Sequence, residues 1–251
     1  MVDGTDRAAI ATFFCGDTLV PGGAVTLTEE AAHHMRVARI AVGERVALRD
    51  GVGTTAQGTV VKISRTSALI DVTDTHEVAR PGPIHLLAPV ADRERMLWLA
   101  EKATELGITS WRPVMWRRSK SVSPRGDGPT FQHKVRARMT SALIQSGGAW
   151  LPDVFPEASI GRAVSAAPPG TRLLLTEDGD PIAQVAMRAP ITIALGPEGG
   201  IEPEERETFT GADFVPVRLA ESTLRFETAG IAAIAIAVAG LSLLGNSDGE
   251  A

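Results

Sequence analysis

The sequence predicts an α/β protein in two parts: a small β-rich module, then a larger domain built on a mostly parallel sheet. Short apolar segments bounded by Gly, Asp or Ser follow one another between residues 12 and 78, as in a small β-barrel. Residues 77–83 read EVARPGP, and two prolines with a glycine indicate a linker. From Ile84 onward apolar strands alternate with helical patterns, which is typical of βα units. We therefore expect domains over residues 1–80 and 81–251.

The β module is predicted to contain several short strands and one helix. The strands are expected at residues 25–27, 46–48, 59–63 and 68–72, with Asp50-Gly51 in a turn. Thr28 is a good N-cap, and the two glutamates after it favour the first turn of a helix. We expect this helix to carry His34, Arg36 and Arg39, and the two arginines to face a phosphate together. The alternative is that the histidines only pack or cap.

The second domain is predicted to alternate between buried strands and helices. Strands are expected at residues 84–90, 108–115, 172–176, 191–195 and 214–217, and helices at 92–106, 131–145 and 227–244, with another beginning at Pro203. The last helix contains AGIAAIAIAVAGLSLL and is apolar on every side, so we expect it to be buried all round. Part of its surface would be a subunit interface, which predicts a dimer.

Composition limits the possible functions. The single cysteine, Cys15, cannot form an internal disulfide, and no Cys/His cluster has zinc spacing, so we expect no metal. The N-terminus does not look like a signal peptide, and the apolar run 229–244 is shorter than the about 20 residues of a membrane span, so we expect a cytoplasmic protein. Residues 91–140 carry 11 Lys/Arg against 5 Asp/Glu within a chain of net charge −5. This segment either binds a polyanion or is balanced by acidic neighbours.

Two loops late in the chain are the best candidates for a ligand site. The strand 191–195 runs into Gly-Pro-Glu-Gly-Gly at 196–200, where glycines let the backbone approach a ligand closely. The loop matches neither the dinucleotide fingerprint nor the phosphate loop. Glu202, Glu204 and Glu205 at the following helix start also argue against a bound phosphate. A neutral or cationic ligand is therefore expected.

The second loop, LAESTLRFETA at 219–229, contains Arg225. An arginine beside an apolar helix either meets a ligand or pairs with Glu227, and Thr228 is a candidate cap for that helix. The sequence shows no Ser/His/Asp or Cys/His nucleophile set. This favours a group transfer in which a cosubstrate supplies the chemistry and the protein supplies position and electrostatics.

The late motifs LGPEGGIEPEE (195–205) and LRFETAGIAAIA (224–235) resemble the RsmE family, the 16S rRNA uridine-N3 methyltransferases of the SPOUT class. The resemblance covers nearly the whole chain. HHMRVARIAVGERVALRDG (33–51) is similar to the family's PUA-like RNA-binding module. EKATELGITSWRPVMWRRS (101–119) is similar to its KxxELG segment, and IQSGGAWLP (144–152) lies where the family has an EQS…P element.

This resemblance implies a SPOUT-type domain with a deep trefoil knot, a homodimer, and a target uridine in the small ribosomal subunit. S-adenosylmethionine (SAM) would be the cofactor. The residues expected to hold it are Leu175, Thr176, Glu177, Leu195, Gly196, Pro197, Gly199, Gly200, Leu219, Ala220, Ser222, Thr223, Leu224 and Thr228. Arg225 would stabilise negative charge on the uracil, and Glu198 is the candidate proton acceptor. His34, Arg36, Arg39, Arg117, Arg118 and Lys120 would contact RNA.

Some residues depart from the family pattern. Ala220-Glu221-Ser222 replaces Gly-x-Arg, and Gly147-Gly148-Ala149-Trp150 replaces an expected arginine. Because alanine tolerates positive φ poorly, we expect a slightly altered second loop. Trp111, Trp116 and Trp150 either stack on bases or pack in the core. A related SPOUT enzyme acting on tRNA and a non-catalytic RNA-binding assembly protein remain alternative functions.

Overall fold

The computed structural model describes residues 9–121 and 124–245, which form two compact units. The first comprises the chain up to Arg80 together with Leu143–Leu151, and the second comprises Pro81–Ala142 together with the chain from Pro152 onward. The return of residues 143–151 to the first unit was not predicted from the sequence. No helix in the described part of the chain is long and apolar enough to cross a membrane.

The first unit is a five-stranded sheet with one helix, as predicted. Its elements are β1 (Thr12–Phe14), β2 (Ala24–Leu27), α1 (Glu29–Val37), β3 (Arg45–Arg49), β4 (Thr54–Ile63) and β5 (Ala68–Glu77). The strand order is β1-β3-β4-β5-β2, with β1 parallel to β3 and the other pairs antiparallel. Inward-facing side chains such as Leu27, Leu48 and Ile70 form the core with Met35 from α1.

Local capping determines where α1 begins and ends. Thr28 is its N-cap, and the Thr28 hydroxyl accepts a hydrogen bond from the Ala31 amide at 3.5 Å. The helix ends at Val37, and Arg39 lies beyond it with φ of 58°, in the left-handed region. The prediction that Arg36 and Arg39 share one helical face is therefore wrong. The Arg36 guanidinium instead donates to the Ser64 carbonyl at 2.5 Å.

Trp150 belongs to the first unit as a packing residue. Its indole Nε1 donates to the Val78 carbonyl at 2.9 Å. The ring lies against Gly53, where an added Cβ would come within 2.3 Å of it. The residue that replaces the expected family arginine is thus used in packing.

The second unit is a parallel sheet with helices. Its elements are β6 (Ile84–Pro89), α2 (Arg93–Glu105), β7 (Ser110–Met115), α3 (Gly128–Ser146, whose residues from Leu143 onward belong to the first unit), β8 (Asp153–Val154), β9 (Ala158–Ser159), α4 (Ile160–Ser165), β10 (Thr171–Pro181), β11 (Ile191–Leu195), α5 (Pro203–Thr210), β12 (Val215–Arg218) and α6 (Phe226–Gly245). The strand order is β12-β10-β11-β6-β7-β8, with β9 also pairing with β7, and every pair is parallel. The predicted mostly parallel sheet is confirmed.

Of the two alternatives for Trp111 and Trp116, stacking on bases or packing in the core, the structure shows core packing. Trp111 and Trp116 are fully buried, and Trp116 stacks on Phe209 with ring centroids 5.1 Å apart, so neither is available to a base. Helix α6 is not buried all round, because Ala235, Ala239 and Ser242 are exposed. Part of α6 is expected to form a subunit interface, so an exposed face on a single chain does not contradict that expectation.

Candidate active site

Three loops open at one edge of the second unit's sheet. The register pairs Leu175 of β10 with both Leu195 of β11 and Val217 of β12, so the carboxyl ends of these three strands lie side by side. The chain segments that follow them surround a cavity of about 480 Å³. In parallel α/β sheets this edge is where ligands bind.

The cavity is lined by most of the residues predicted to hold the cofactor, together with Glu198. These are Leu175, Thr176, Glu177, Leu195, Gly196, Pro197, Gly200, Leu219, Ala220, Ser222, Thr223 and Leu224. Gly199 and Thr228 are not among the lining residues. Thr228 also does not cap α6, because the helix already begins at Phe226. Six further residues line the cavity and were not predicted from the sequence to do so: Asp178, Ile201, Arg206, Val217, Phe226 and Ala229.

The first loop is a bulge inside β10. The pairing with β12 shifts register between Leu175 and Asp180, so that the strand leaves its partner and then rejoins it. Gly179 allows the return, since a Cβ there would lie 2.5 Å from both Pro216 C and Val217 N. Glycine is required here because the backbone of β10 comes very close to the backbone of β12.

The second loop is the glycine loop at 196–200. The Gly200 amide donates to the Pro197 carbonyl at 2.9 Å, and Gly200 has φ of 84°, a conformation that favours glycine. A Cβ at Gly196 would lie 2.7 Å from the Ile201 side chain. These two glycines therefore let the loop turn tightly and pack against Ile201.

The third loop, 219–224, is joined to the first by a hydrogen bond. The Thr223 hydroxyl donates to Glu177 Oε1 at 2.8 Å. Among described non-glycine residues, only Arg39 and Asp213 have positive φ, so Ala220 adopts an ordinary backbone conformation. The departure from the family glycine thus introduces no backbone strain at this position.

A chain of charged groups lies at the rim of the cavity. Arg95 Nη1 of α2 donates to Glu198 Oε1, and Arg225 Nη1 lies 3.7 Å from the same oxygen. Arg95 Nε is also 3.9 Å from Glu227 Oε1 in the first turn of α6. Glu227 is buried, and its Oε2 has no hydrogen-bond partner in the described part of the chain. The carboxylate that Arg225 approaches is therefore Glu198, not Glu227 as the sequence suggested, and contact with a ligand stays a prediction.

A second ion pair fixes the first loop. Arg206 of α5 bonds Asp178 Oδ2 at 2.7 Å. This hydrogen bond holds the pKa of Asp178 below its usual range. Because a depressed carboxyl pKa stabilises the folded state only above its unfolded value, this contribution is present at neutral pH and is lost in acid.

The basic segment after β7 contacts the acidic start of α5. Arg117 Nη1 lies 3.0 Å from Glu204 Oε2, and Arg118 Nε lies 2.6 Å from Glu202 Oε1. The Arg117 amide donates to buried Glu205 at 2.7 Å. The acidic helix start therefore neutralises part of the charge on this segment, and RNA contact by Arg117 and Arg118 stays a prediction.

The other residues predicted to contact RNA lie elsewhere. His34, Arg36 and Arg39 are exposed in the first unit, where the His34 ring packs edge-on against Phe13 at 5.6 Å. The Lys120 side chain falls outside the described part. No group of three or more His, Cys, Asp or Glu side chains in the described residues could hold a metal.

Comparison with known proteins supplies matches along most of the chain. A family model described as an RNA methyltransferase domain matches residues 79–238, and one described as an RNA methyltransferase PUA domain matches 27–73. Ribosomal RNA small subunit methyltransferase E from Mycobacterium bovis is 32% identical over 247 residues, covering 92% of each chain. The protein of that name from Synechocystis is 29% identical and covers 84% of this chain and 71% of its own.

A solved structure is similar over nearly the same length. It is the ribosomal RNA small subunit methyltransferase E from Neisseria gonorrhoeae bound to S-adenosyl methionine. It has a TM-score of 0.82 and 26% identity, and the match covers 90% of this chain and 95% of that one.

Proposed function

The chain belongs to the RNA methyltransferase family that includes ribosomal RNA small subunit methyltransferase E, and we propose that it transfers a methyl group from SAM to N3 of a uridine in 16S rRNA. The observation that carries this proposal is the convergence of three loops on one cavity of about 480 Å³. The resemblance to the RsmE family names the same three loops from the sequence. The N3 position and the 16S rRNA rest on that resemblance.

The cavity suits SAM in size and chemistry. Leu175, Leu195 and Leu219 give it apolar walls for an adenine ring. Glu177, Asp178 and Glu198 supply carboxylate oxygens that can accept from hydroxyls and an ammonium, with Asp178 already paired to Arg206 and Glu198 to Arg95. The cofactor has no phosphate, so the acidic start of α5 does not oppose it. Gly179 and Gly196 let the loops that line the cavity pack closely, against the backbone at Pro216 and against Ile201.

The bound cofactor supplies an electrophilic methyl group, and the protein must remove the uridine proton and stabilise the resulting charge. Uridine N3 is a poor nucleophile until its proton leaves. Loss of the N3 proton places negative charge on the uracil oxygens. Arg225, whose side chain is 63% exposed, is the cation at the cavity rim that would stabilise this charge. Glu198 Oε1 already faces two guanidinium groups, so Oε2 is the oxygen that would accept the proton. A flipped or unpaired uridine is required to reach this position.

A homodimer and the trefoil knot are further parts of the proposal. The exposed face of α6 presents Ala235, Ala239 and Ser242, with Ile236 38% exposed beside them. Trp98 on α2, the helix that packs against α6, is 45% exposed. Apolar groups of this size on neighbouring helices favour burial against a second copy. The knot rests on the resemblance and on the adjacency of β10, β11 and β12, and a cytoplasmic location follows from the proposed rRNA substrate.

The decisive experiment identifies the methylated nucleoside. The full chain is incubated with labelled SAM and, separately, with small ribosomal subunits, naked 16S rRNA and bulk tRNA, and the digested nucleosides are analysed by mass spectrometry. We expect 3-methyluridine from the ribosomal substrates only. A methylated ribose from tRNA would indicate the tRNA enzyme instead. Absence of SAM binding in isothermal titration would indicate a non-catalytic RNA-binding protein.

A further inference from the structure

An exposed aromatic ring lies beside Arg112 at the β7–β8 edge of the second unit, with Arg136 and Arg162 on neighbouring segments. We call this group, Arg112, Arg136, Phe155 and Arg162, the Phe155 patch. Phe155 is 38% exposed, and the Arg112 guanidinium carbon lies 4.4 Å from its ring centroid. This arrangement is a cation–π contact at the protein surface.

Three separate chain segments bring the arginines together. The Phe155 amide donates to the Trp111 carbonyl at 2.9 Å, which sets the ring beside Arg112 of β7. Arg136 Nη2 of α3 donates to the carbonyl of Val154 at 3.0 Å, next to Phe155 in the chain. Strand β9 pairs with β7 through Val114 and Ala158 and leads directly into α4, which carries the exposed Arg162.

The three patch arginines differ in their pairing from the arginines of the basic segment after β7. In the described part of the chain, none of the patch arginines forms an ion pair with a carboxylate, in contrast to Arg117 and Arg118. Burial, with a smaller contribution from the charge on Arg162, lowers the pKa of Arg112. Like charges held together in this way are relieved by an anion.

We propose that the Phe155 patch binds a single-stranded segment of the RNA substrate, with a base stacked on Phe155 and phosphates on Arg112 and Arg162. Aromatic rings and arginine planes are the surfaces on which unpaired bases stack, and unpaired arginines attract the phosphates between them. The proposal rests on the proposed function for the identity of the RNA. It gives the enzyme a substrate contact on the second unit that is separate from the cofactor cavity.

The test measures binding of the full chain to a uridine-containing RNA stem–loop by fluorescence anisotropy at several salt concentrations. Phe155→Ala should weaken binding about tenfold, because base stacking on an aromatic ring is worth roughly 1–3 kcal/mol. Phe155→Trp should restore it. The double variant Arg112→Gln/Arg162→Gln should reduce the slope of log affinity against log salt by roughly 1.4, the value for two phosphates on a single strand.

Arg188→Gln is the matched control. Arg188 is exposed, and its backbone bonds Thr171 at the amino-terminal end of β10, away from the patch. We expect wild-type binding from this control and wild-type SAM affinity from every variant. The proposal is overturned if the Phe155 and arginine variants bind like wild type, or if Arg188→Gln loses as much affinity as they do.

Methyl transfer by the wild-type protein is measured separately, so that the two proposals fail independently. RNA binding with the predicted salt slope but without methyl transfer would refute the proposed function and leave the patch standing. Methyl transfer that does not respond to the patch variants, at RNA concentrations below saturation, would refute the patch alone.

Discussion

The Arg95 guanidinium holds the Glu198 carboxylate, although the two residues are 103 positions apart in the sequence. Arg95 comes from α2, the first helix of the second unit, and Glu198 lies in the glycine loop at the cavity rim. Through its Nε the same arginine reaches the buried Glu227. One side chain thus links the scaffold to two of the segments that form the candidate site.

Replacing Arg95 should therefore loosen the glycine loop. Arg95→Met is expected to weaken SAM binding several-fold and to lower the free energy of unfolding, because Glu227 would be left buried without a nearby cation. Isothermal titration and urea unfolding measure the two effects. A double-mutant cycle with Glu198→Gln should give a coupling of about 0.5–1 kcal/mol, since both side chains are partly exposed. If the two substitutions changed the free energy of unfolding additively, the link between Arg95 and Glu198 would be contradicted.

Arg225 is predicted to act on the reacting base more than on the cofactor. Arg225→Ala should reduce the rate of uridine methylation by about 10²–10³, the range found when one donor to a developing negative charge is removed. SAM affinity should stay within about twofold of wild type. Arg188→Ala, at the opposite end of the sheet, is the charge-matched control. A near wild-type methylation rate for Arg225→Ala would rule out this role.

The bulge in β10 gives a sharp test of the first loop. Gly179→Ala should destabilise the protein by about 1–3 kcal/mol and impair SAM binding, because its Cβ would lie 2.5 Å from the backbone at Pro216. Gly161→Ala is the control, since no atom lies within 4 Å of a Cβ placed there. Thermal melts with and without SAM separate folding from binding. Equal melting temperatures for the two variants would show that the bulge tolerates a side chain.

The oligomeric state tests the exposed face of α6. Ala239→Arg should convert a dimer into a monomer, because a buried guanidinium without a partner is costly at an apolar interface. Ala137→Arg, at an exposed position of α3, should leave the dimer intact. Sedimentation velocity distinguishes the two states. A wild-type protein that sediments as a monomer at micromolar concentration would refute the dimer.

The sequence predicted those parts of the molecule that local patterns determine. The strand Ile191–Leu195 has the predicted bounds, and Pro203 begins α5 as expected, because an apolar run and a first-turn proline act locally. The loops around the cavity were found through their motifs. The bulge at Gly179 and the role of Arg95 could not be predicted, and the burial of Trp116 stood only as one of two alternatives, since each depends on a strand or loop far away in the sequence. For Gly179 the only signal was a glycine within a strand-like segment, which also fits an ordinary turn.

The buried thiol of Cys15 provides a reporter for the first unit. Cys15 is 4% exposed, and burial raises its pKa to about 11. Because the folded pKa lies above the usual value of about 8.5, the neutral thiol stabilises the fold below that pH, and the contribution is lost as pH rises through about 11.

Cys15 should therefore react with a disulfide reagent at pH 8 far more slowly than a free thiol, and the rate should rise with urea in parallel with unfolding. In Cys15→Ala, stability should fall less than in wild type between pH 8 and pH 11. Rapid labelling of the native protein at pH 8 would show instead that the thiol is accessible without unfolding.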